Sequence, residues 1–331
     1  MKKATSILLV WVWLLLLAGC GPTAPNMRPS AQFGFWPENE FRYAPVVVWF
    51  DASASSDADG AITDYRWEFG DGSTGKGMIV NHTYVDSGEH AVTLRVIDST
   101  GQQSTATLTV PVFEVPDGQL LRRYSWQYEG ADMALEVLIS EELYQNYHSQ
   151  YRAPLVGTYK YDDYVIEPLD DPTLSDISTA LRAKIDGGDD EYAEFALSFV
   201  QGAISYVVDP PGFEYPLYPL ETLVDKKGDC EDTTILYVSL LRAQEIQSTI
   251  VAADTDDDDI PDHVLAIVPV KTVFANQIRC TAGLAVGVYD IGGSSFALAE
   301  TAADPSTSGY ISLGCDPWGI DENDFLETWD I

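Results

Sequence analysis

The sequence predicts two folded domains in series, an all-β sandwich followed by an α+β domain. Three observations carry this. Short alternating runs separated by Gly/Asp/Ser clusters occupy residues 35–114. Helical spacings mixed with strand-like runs occupy the stretch from about Gly118 onward. A cysteine just ahead of an apolar helical run, with a histidine opening a later strand-like run, gives that second stretch a candidate reactive centre. The 331 residues allow two domains with ample apolar content for their cores.

The N-terminus comes first. Lys2 and Lys3 precede an uninterrupted apolar run from Ile7 to Ala18. A basic start followed by roughly 7–15 apolar residues reads as a secretory signal, too short for a spanning helix. The run ends in Leu17-Ala18-Gly19-Cys20, which resembles the lipobox of bacterial lipoproteins. That resemblance implies a signal peptide over 1–19, cleavage before Cys20 and acyl chains on that residue. The expected location is therefore extracytoplasmic, with the lipid on Cys20 held in the cell membrane or an outer membrane. Residues 20–32 then read as a tether, because Gly21–Ser30 carries Pro, Thr and Ala without periodicity.

Charge narrows the partners. With Lys2 and Lys3 removed, basic residues fall from 18 to 16 against 52 acidic ones, a net charge near −36. Such a surface repels phosphate backbones, so nucleic acid is excluded as an expected partner.

In the first domain, expected over 33–115, Val46, Val48 and Phe50 alternate, as do Val92, Leu94 and Val96; Thr107, Leu108 and Val110 close it. Turn clusters at 55–60, 70–73 and 86–88 separate these runs, the pattern of a sandwich. The motifs Trp67-Glu68-Phe69-Gly70-Asp71-Gly72, His82-Thr83-Tyr84 and Gly88–Val96 resemble a PKD domain. The resemblance implies an immunoglobulin-like sandwich of extracellular proteins, a spacer or a binder. Trp67 and Phe69 are expected in the core, Gly70 and Gly72 at positive φ, and His82 and His90 as strand residues.

In the second domain, expected over 118–331, Tyr124–Tyr128 and Ala134–Ile139 read as strands, with Leu135, Val137 and Ile139 on one face. Ser140 is placed to cap a helix through Glu141–Tyr144. Asp176–Lys184 and Asp190–Tyr206 read as helices, the latter with Phe195, Phe199, Ala203 and Ile204 at helical spacing before Pro210-Pro211-Gly212.

Gly228-Asp229-Cys230-Glu231-Asp232 then leads into a helix carrying Leu236, Leu240 and Leu241. A helix start favours the thiolate, whereas the flanking Asp229 and Glu231 raise the thiol pKa. With Phe199-Val200-Gln201 upstream and Tyr215–Asp225 before it, this run resembles the transglutaminase-like superfamily. The resemblance implies a papain-like α+β domain, with the cysteine at a helix start and the histidine and an acid on neighbouring strands. His263–Val268 matches the histidine strand, Phe296–Thr301 the third and Gly309–Gly314 the closing one. Cys230 would be the nucleophile, His263 the base and Glu300 the orienting acid, with Asp304 as the alternative acid. The Cys230 amide and Gln201 would be the oxyanion donors.

The implied activity is cysteine-dependent acyl transfer, most readily amide or peptide hydrolysis by a protease or peptidoglycan-type amidase, with no cofactor required. A catalytically silent scaffold and a calcium-dependent adhesion protein are the alternatives. The calcium reading comes from Asp254, Asp256, Asp258, Ile260 and Asp262, which resemble the calcium loops of dockerin and thrombospondin type 3 repeats. Asp259 replaces the glycine of those loops, and Leu265 stands where a last carboxylate is expected. Cys280 and Cys315 remain, either joined as a disulfide or as two buried thiols.

Overall fold

The computed structural model describes residues 26–36, 42–150, 160–165, 171–209, 215–255, 261–280, 283–302, 310–320 and 324–331. The signal segment, Cys20, Asp256, Asp258, Ile260 and Asp304 lie outside them. The chain divides into two compact units between Glu114 and Val115.

The first unit is a sandwich of two antiparallel sheets. One has the order Gly34–Trp36, Val46–Asp51, Ile79–Tyr84; the other Thr74–Lys76, Ile62–Glu68, Gly88–Asp98, Gln103–Val112. Alternation decides which face is buried: Val46, Val48 and Phe50 point inward while Val47 and Trp49 are exposed. The core they enter holds Trp67, Phe69, Tyr84, Val92, Leu94, Val96 and Val110. Its buried polar atoms are satisfied, since Trp67 Nε1 donates to Gly77 O at 2.8 Å and the Tyr84 hydroxyl donates to Phe69 O at 2.8 Å. His82 and His90 are strand residues, as expected.

Gly70 sits at φ 86°, and a Cβ added there would lie 2.7 Å from the Ala91 amide nitrogen. Both the left-handed backbone and the close approach exclude a side chain. Gly70→Ala should therefore cost about 2 kcal/mol or more of the first unit's stability in urea unfolding of the full chain.

The stretch 26–32 is not a free tether. Asn26 Nδ2 donates to Asp98 Oδ2 at 2.7 Å, Ser30 bridges Ser56, and Gln32 N donates to Ser55 Oγ at 3.0 Å. These bonds fasten it to the sandwich, and Phe33 beyond it enters the core.

The second unit is built on a five-stranded antiparallel sheet. Its order is Val288–Ile291, Ser294–Ala299, His263–Val270, Thr249–Ala253, Phe325–Asp330. The His263–Val270 strand is central, and successive side chains feed two cores. Val264, Ala266 and Val268 face the helices, while Leu265 and Ile267 join Val251, Leu298 and Ile320 on the other face. Burial on both faces is why this strand is apolar nearly throughout.

Two helices dominate the helical side, Asp189–Ala203 and Cys230–Arg242. In the second, every residue from Glu231 to Leu241 is buried, so Leu236, Leu240 and Leu241 belong to a helix enclosed all round. A hairpin of Gln119–Tyr128 and Ala131–Ser140 packs Tyr124 and Trp126 against Phe199. Ser140 Oγ accepts from Leu143 N to cap Glu141–His148.

Three sequence expectations change in this unit. The helix expected over Asp176–Lys184 runs Asp171–Arg182. The one expected to reach Tyr206 ends at Ala203, because Ser205–Tyr206 turns extended and pairs in parallel with Lys227–Gly228. Gly309–Gly314 does not supply the closing strand; that edge is Phe325–Asp330. Residues 310–314 are irregular because side chains of the Asp189–Ala203 helix take up their backbone. Gln201 holds both the N–H and the carbonyl of Ile311, and Glu194 accepts from Leu313 N at 2.7 Å. Cys280 and Cys315 are joined as a disulfide with Cα atoms 5.4 Å apart.

Candidate active site

The candidate site lies where the Cys230 helix meets the His263 strand. Three local devices fix the start of that helix. Lys226 adopts the left-handed conformation at φ 55° and reverses the chain after the Pro219–Asp225 helix. Gly228 then passes so close to Asp232 that a Cβ would meet its Cβ at 2.5 Å, so only glycine fits. Asp229 is extended as the N-cap, and its N–H donates to Asp232 Oδ2 at 3.4 Å.

Hydroxyls lock the helix onto the sheet. Thr301 Oγ1 shares hydrogen bonds with Thr233 Oγ1 at 3.0 Å and Thr234 Oγ1 at 2.8 Å. Thr234 Oγ1 is also 3.2 Å from Val264 O as a donor. The residues after Cys230 are thus tied to the residues after His263 and Glu300, which fixes the three side chains relative to one another.

His263 and Glu300 form a direct pair, Nε2 to Oε2 at 2.7 Å, both buried. Glu300 accepts two further bonds, from Trp318 Nε1 to Oε2 at 2.8 Å and from Ala302 N to Oε1 at 2.8 Å. Burial opposes its charge, but His263 and these donors hold its pKa below the usual carboxylate value. Burial likewise acts to lower the His263 pKa. The charge and hydrogen bond of Glu300, with Asp262 adding, carry it above the ordinary value of 6.5.

Cys230 is the free cysteine among the described residues and lines a small cavity of about 70 Å³ together with His263, Glu231, Asp262 and Val264. Its Sγ donates to Glu231 Oε2 at 3.3 Å. Burial first, and then the charges of Glu231 and Asp229, push the thiol pKa well up, outweighing a backbone contact with Val264. The competition seen in the sequence between helix start and acidic flanks thus resolves against the helix start, with burial the larger cause and the flanks adding to it. Asp209 joins this acidic group. Its carboxylate, with those of Asp229 and Glu231, forms a grouping with oxygens within 4.8 Å of one another, tight enough to share a cation. Sequence reading missed Asp209, which is far from Cys230 in a segment with no motif.

The other predicted residues divide. Gln201 is buried, but its amide is spent elsewhere. Nε2 donates to Glu300 O at 2.6 Å and Ile311 O at 2.9 Å, and Oε1 accepts from Ile311 N at 2.9 Å. It is a backbone clamp under the acid strand, not an oxyanion donor. The Cys230 N–H, at the first helical residue, has no acceptor within the helix. In the acidic loop, both Asp262 oxygens accept from Thr255, its N–H and its hydroxyl each at 2.8 Å, and Asp254 is buried. Trp318, whose ring centroid is 5.3 Å from that of His263, carried no sequence signal.

A cysteine at a helix start, sharing a cavity with a histidine that is bonded to a buried acid, makes a candidate cysteine site in an α+β domain that follows a β-sandwich in the chain. Comparison with known families agrees: residues 37–112 match the PKD domain, and residues 157–286 match the transglutaminase-like superfamily. The chain thus carries an N-terminal PKD domain and a transglutaminase-like domain. Its curated relatives match through their PKD domains. A microbial collagenase of Vibrio alginolyticus is 42% identical over 65 residues, 20% of this chain and 8% of the collagenase. The pre-pro-metalloprotease PrtV of Vibrio cholerae is 33% identical over 90 residues, 27% of this chain and 9% of PrtV. The chain therefore spans less than a tenth of either relative. Among solved structures, the PKD1 domain of Vibrio anguillarum Epp is 32% identical with a TM-score of 0.24, covering 28% of this chain and 99% of that one. No helix among the described residues is long and apolar enough to cross a membrane.

Proposed function

We propose that the transglutaminase-like domain is a cysteine-dependent acyl-transfer enzyme acting outside the cytoplasm, with amide or peptide hydrolysis as its reaction and a lipid on Cys20 as its anchor. The observation that carries the reading is one cavity lined by both Cys230 and His263, with His263 Nε2 held by Glu300. With Nε2 committed, Nδ1 is the nitrogen left to take the thiol proton.

Sγ attacks the carbonyl carbon as its proton passes to His263 Nδ1, and the Cys230 N–H donates to the developing oxyanion. The C–N bond breaks, Nδ1 returns the proton to the leaving amine, and a thioester remains on Sγ. Water, deprotonated by the same imidazole, attacks the thioester carbonyl; the C–S bond breaks, the acid leaves, and Nδ1 returns the proton to Sγ. Glu300 accepts from Nε2 throughout and stabilises the transient imidazolium.

The two raised pKa values give a signed pH dependence. At low pH the pair carries both a thiol proton and an imidazolium, and no base is free. Losing one proton from the pair creates the reactive state, so the apparent pKa belongs to the pair. Acylation of Cys230 by p-nitrophenyl acetate should therefore rise with pH, through a midpoint above the ordinary 6.5 of histidine. Glu300→Gln removes the charge that raises His263, so the midpoint should move to lower pH while the plateau falls by about 100-fold or more. A midpoint that stays in place in the variant would refute the pairing.

A further inference from the structure

Trp318 is 53% exposed, yet its one polar side-chain atom is not given to water. Nε1 donates to Glu300 Oε2 at 2.8 Å, the same oxygen that accepts from His263 Nε2 at 2.7 Å. The other oxygen, Oε1, accepts from Ala302 N at 2.8 Å. Three donors thus hold a buried carboxylate, and the indole is the one that can be removed without touching the backbone or the histidine.

The turn that brings the indole there is tied down behind it. Asp316, itself buried, accepts through Oδ1 from Trp318 N at 2.8 Å and Gly319 N at 2.9 Å. Cys315–Asp316 pairs antiparallel with Ala285–Val286, and Cys315 is bonded to Cys280. A ladder, a disulfide and an Asx turn therefore fix the backbone of a side chain that contributes more surface to solvent than to the core. Its ordered contact with Glu300 also has a chemical effect. A donor on the carboxylate stabilises the anion on its own, so the anion depends less on keeping the imidazolium beside it. The titratable groups lining the cavities that His263 borders are Cys230, Glu231, Asp262, Glu300, Tyr161 and Tyr206, and it is to Glu300 that the indole bonds.

We propose that Trp318 is a positioning residue, whose N–H holds Glu300 Oε2 against His263 Nε2 and limits how tightly Glu300 makes the imidazole keep its proton. Its bearing on the reaction rests on His263 being the base; the effect on the titration of His263 does not. Without the indole the pair holds its proton to higher pH, and less neutral imidazole is present to act as base. This is the opposite sign to the loss of Glu300 itself.

Proton NMR titration of His263 in the full chain with Cys230→Ala tests this without any need for activity. The chain has four histidines, and the Cε1–H signal of His263 is assigned by its loss in His263→Gln. Trp318→Phe keeps a ring and removes the donor, and should raise the His263 midpoint by about half a pH unit or more. Should that variant not fold, Trp318→Leu, which also lacks the donor, should shift the midpoint the same way. The smaller ring also admits water to the imidazole, so a double-mutant cycle separates the causes. In a Glu300→Gln background Trp318→Phe should leave the midpoint nearly where it was. A midpoint that stays or falls in Trp318→Phe would overturn the proposal. So would a rise that persists undiminished beside Glu300→Gln, since the indole would then act on the His263 ring directly. With Cys230 restored, acylation by p-nitrophenyl acetate should follow the same upward shift. A moved His263 midpoint with no acylation would sustain the role of Trp318 in the pair and sink the enzymatic function. Acylation with an unmoved midpoint would sustain the enzyme and sink the role of Trp318.

Discussion

Cys230→Ala is expected to lower acyl transfer by about 10⁴-fold or more while the second unit stays folded. In the proposed reaction one sulfur atom supplies the only bond to the acyl group. No other cysteine is available for that role in the site, since Cys280 and Cys315 are joined to each other. The structural cost is small because the change is one atom at a position that borders a cavity and is only half-buried. It also removes a donor from Glu231 without altering helix propensity unfavourably. Single-turnover release of p-nitrophenolate measures the first part and thermal unfolding the second. Loss of activity with a midpoint within a few degrees of the parent chain establishes a chemical role. A large fall in the midpoint would instead show that the thiol is a packing group.

The largest stability effect is expected at Gln201. Gln201→Ala should destabilise the second unit by about 3–5 kcal/mol in urea unfolding. Three buried backbone groups lose their partner together: the carbonyls of Glu300 and Ile311 and the Ile311 amide. Each buried group left unsatisfied costs about 1–3 kcal/mol, partly relieved by local relaxation. The loss should also disturb the site, because the Glu300 carbonyl and the His263-bound carboxylate belong to the same residue. Gln201→Glu distinguishes the roles of the two ends of the side chain: it keeps an acceptor for Ile311 N–H but cannot donate to the two carbonyls. Its cost should therefore equal or exceed that of the alanine variant, because a buried carboxylate oxygen would face the two carbonyl oxygens. A neutral alanine substitution would mean that water replaces the clamp.

These two residues mark what the amino-acid order reveals and what it hides. Cys230 was legible because a thiol between Gly228 and an apolar helical run is a local pattern, and helix starts have local causes. His263 was legible because the strand it opens is buried on both faces and so reads as a near-continuous apolar run. The sandwich was legible from the alternation of Val46, Val48 and Phe50, which is the burial pattern itself. Gln201 stands out in the sequence but its task does not, since its partners, Glu300 and Ile311, are about a hundred residues away. Nothing local distinguishes a glutamine that donates to a substrate from one that donates to a distant backbone.

The closing edge shows the same limit from the other side. Gly309–Gly314 reads as extended, but the backbone of Ile311 and Leu313 is taken up by side chains of a helix. Phe325–Asp330 does form the edge, yet a bulge turns Phe325 to the face away from the helices while Trp329 joins the helical-side core, which breaks the alternation. Trp318 follows the same logic, being a lone indole in a turn whose meaning depends on Glu300 arriving beside it.

The position of the histidine strand has a consequence for how the site ages. His263–Val270 is laddered to Thr249–Ala253 over His263–Ile267 and to Ser294–Ala299 over Ala266–Val270, and the histidine at its start is held by the first ladder and by the bond to Glu300. Cys230 instead opens a helix, where the first turn is the part that frays. Slow inactivation short of unfolding should thus begin on the sulfur side, with the imidazole still in place and waiting for a partner that has drifted.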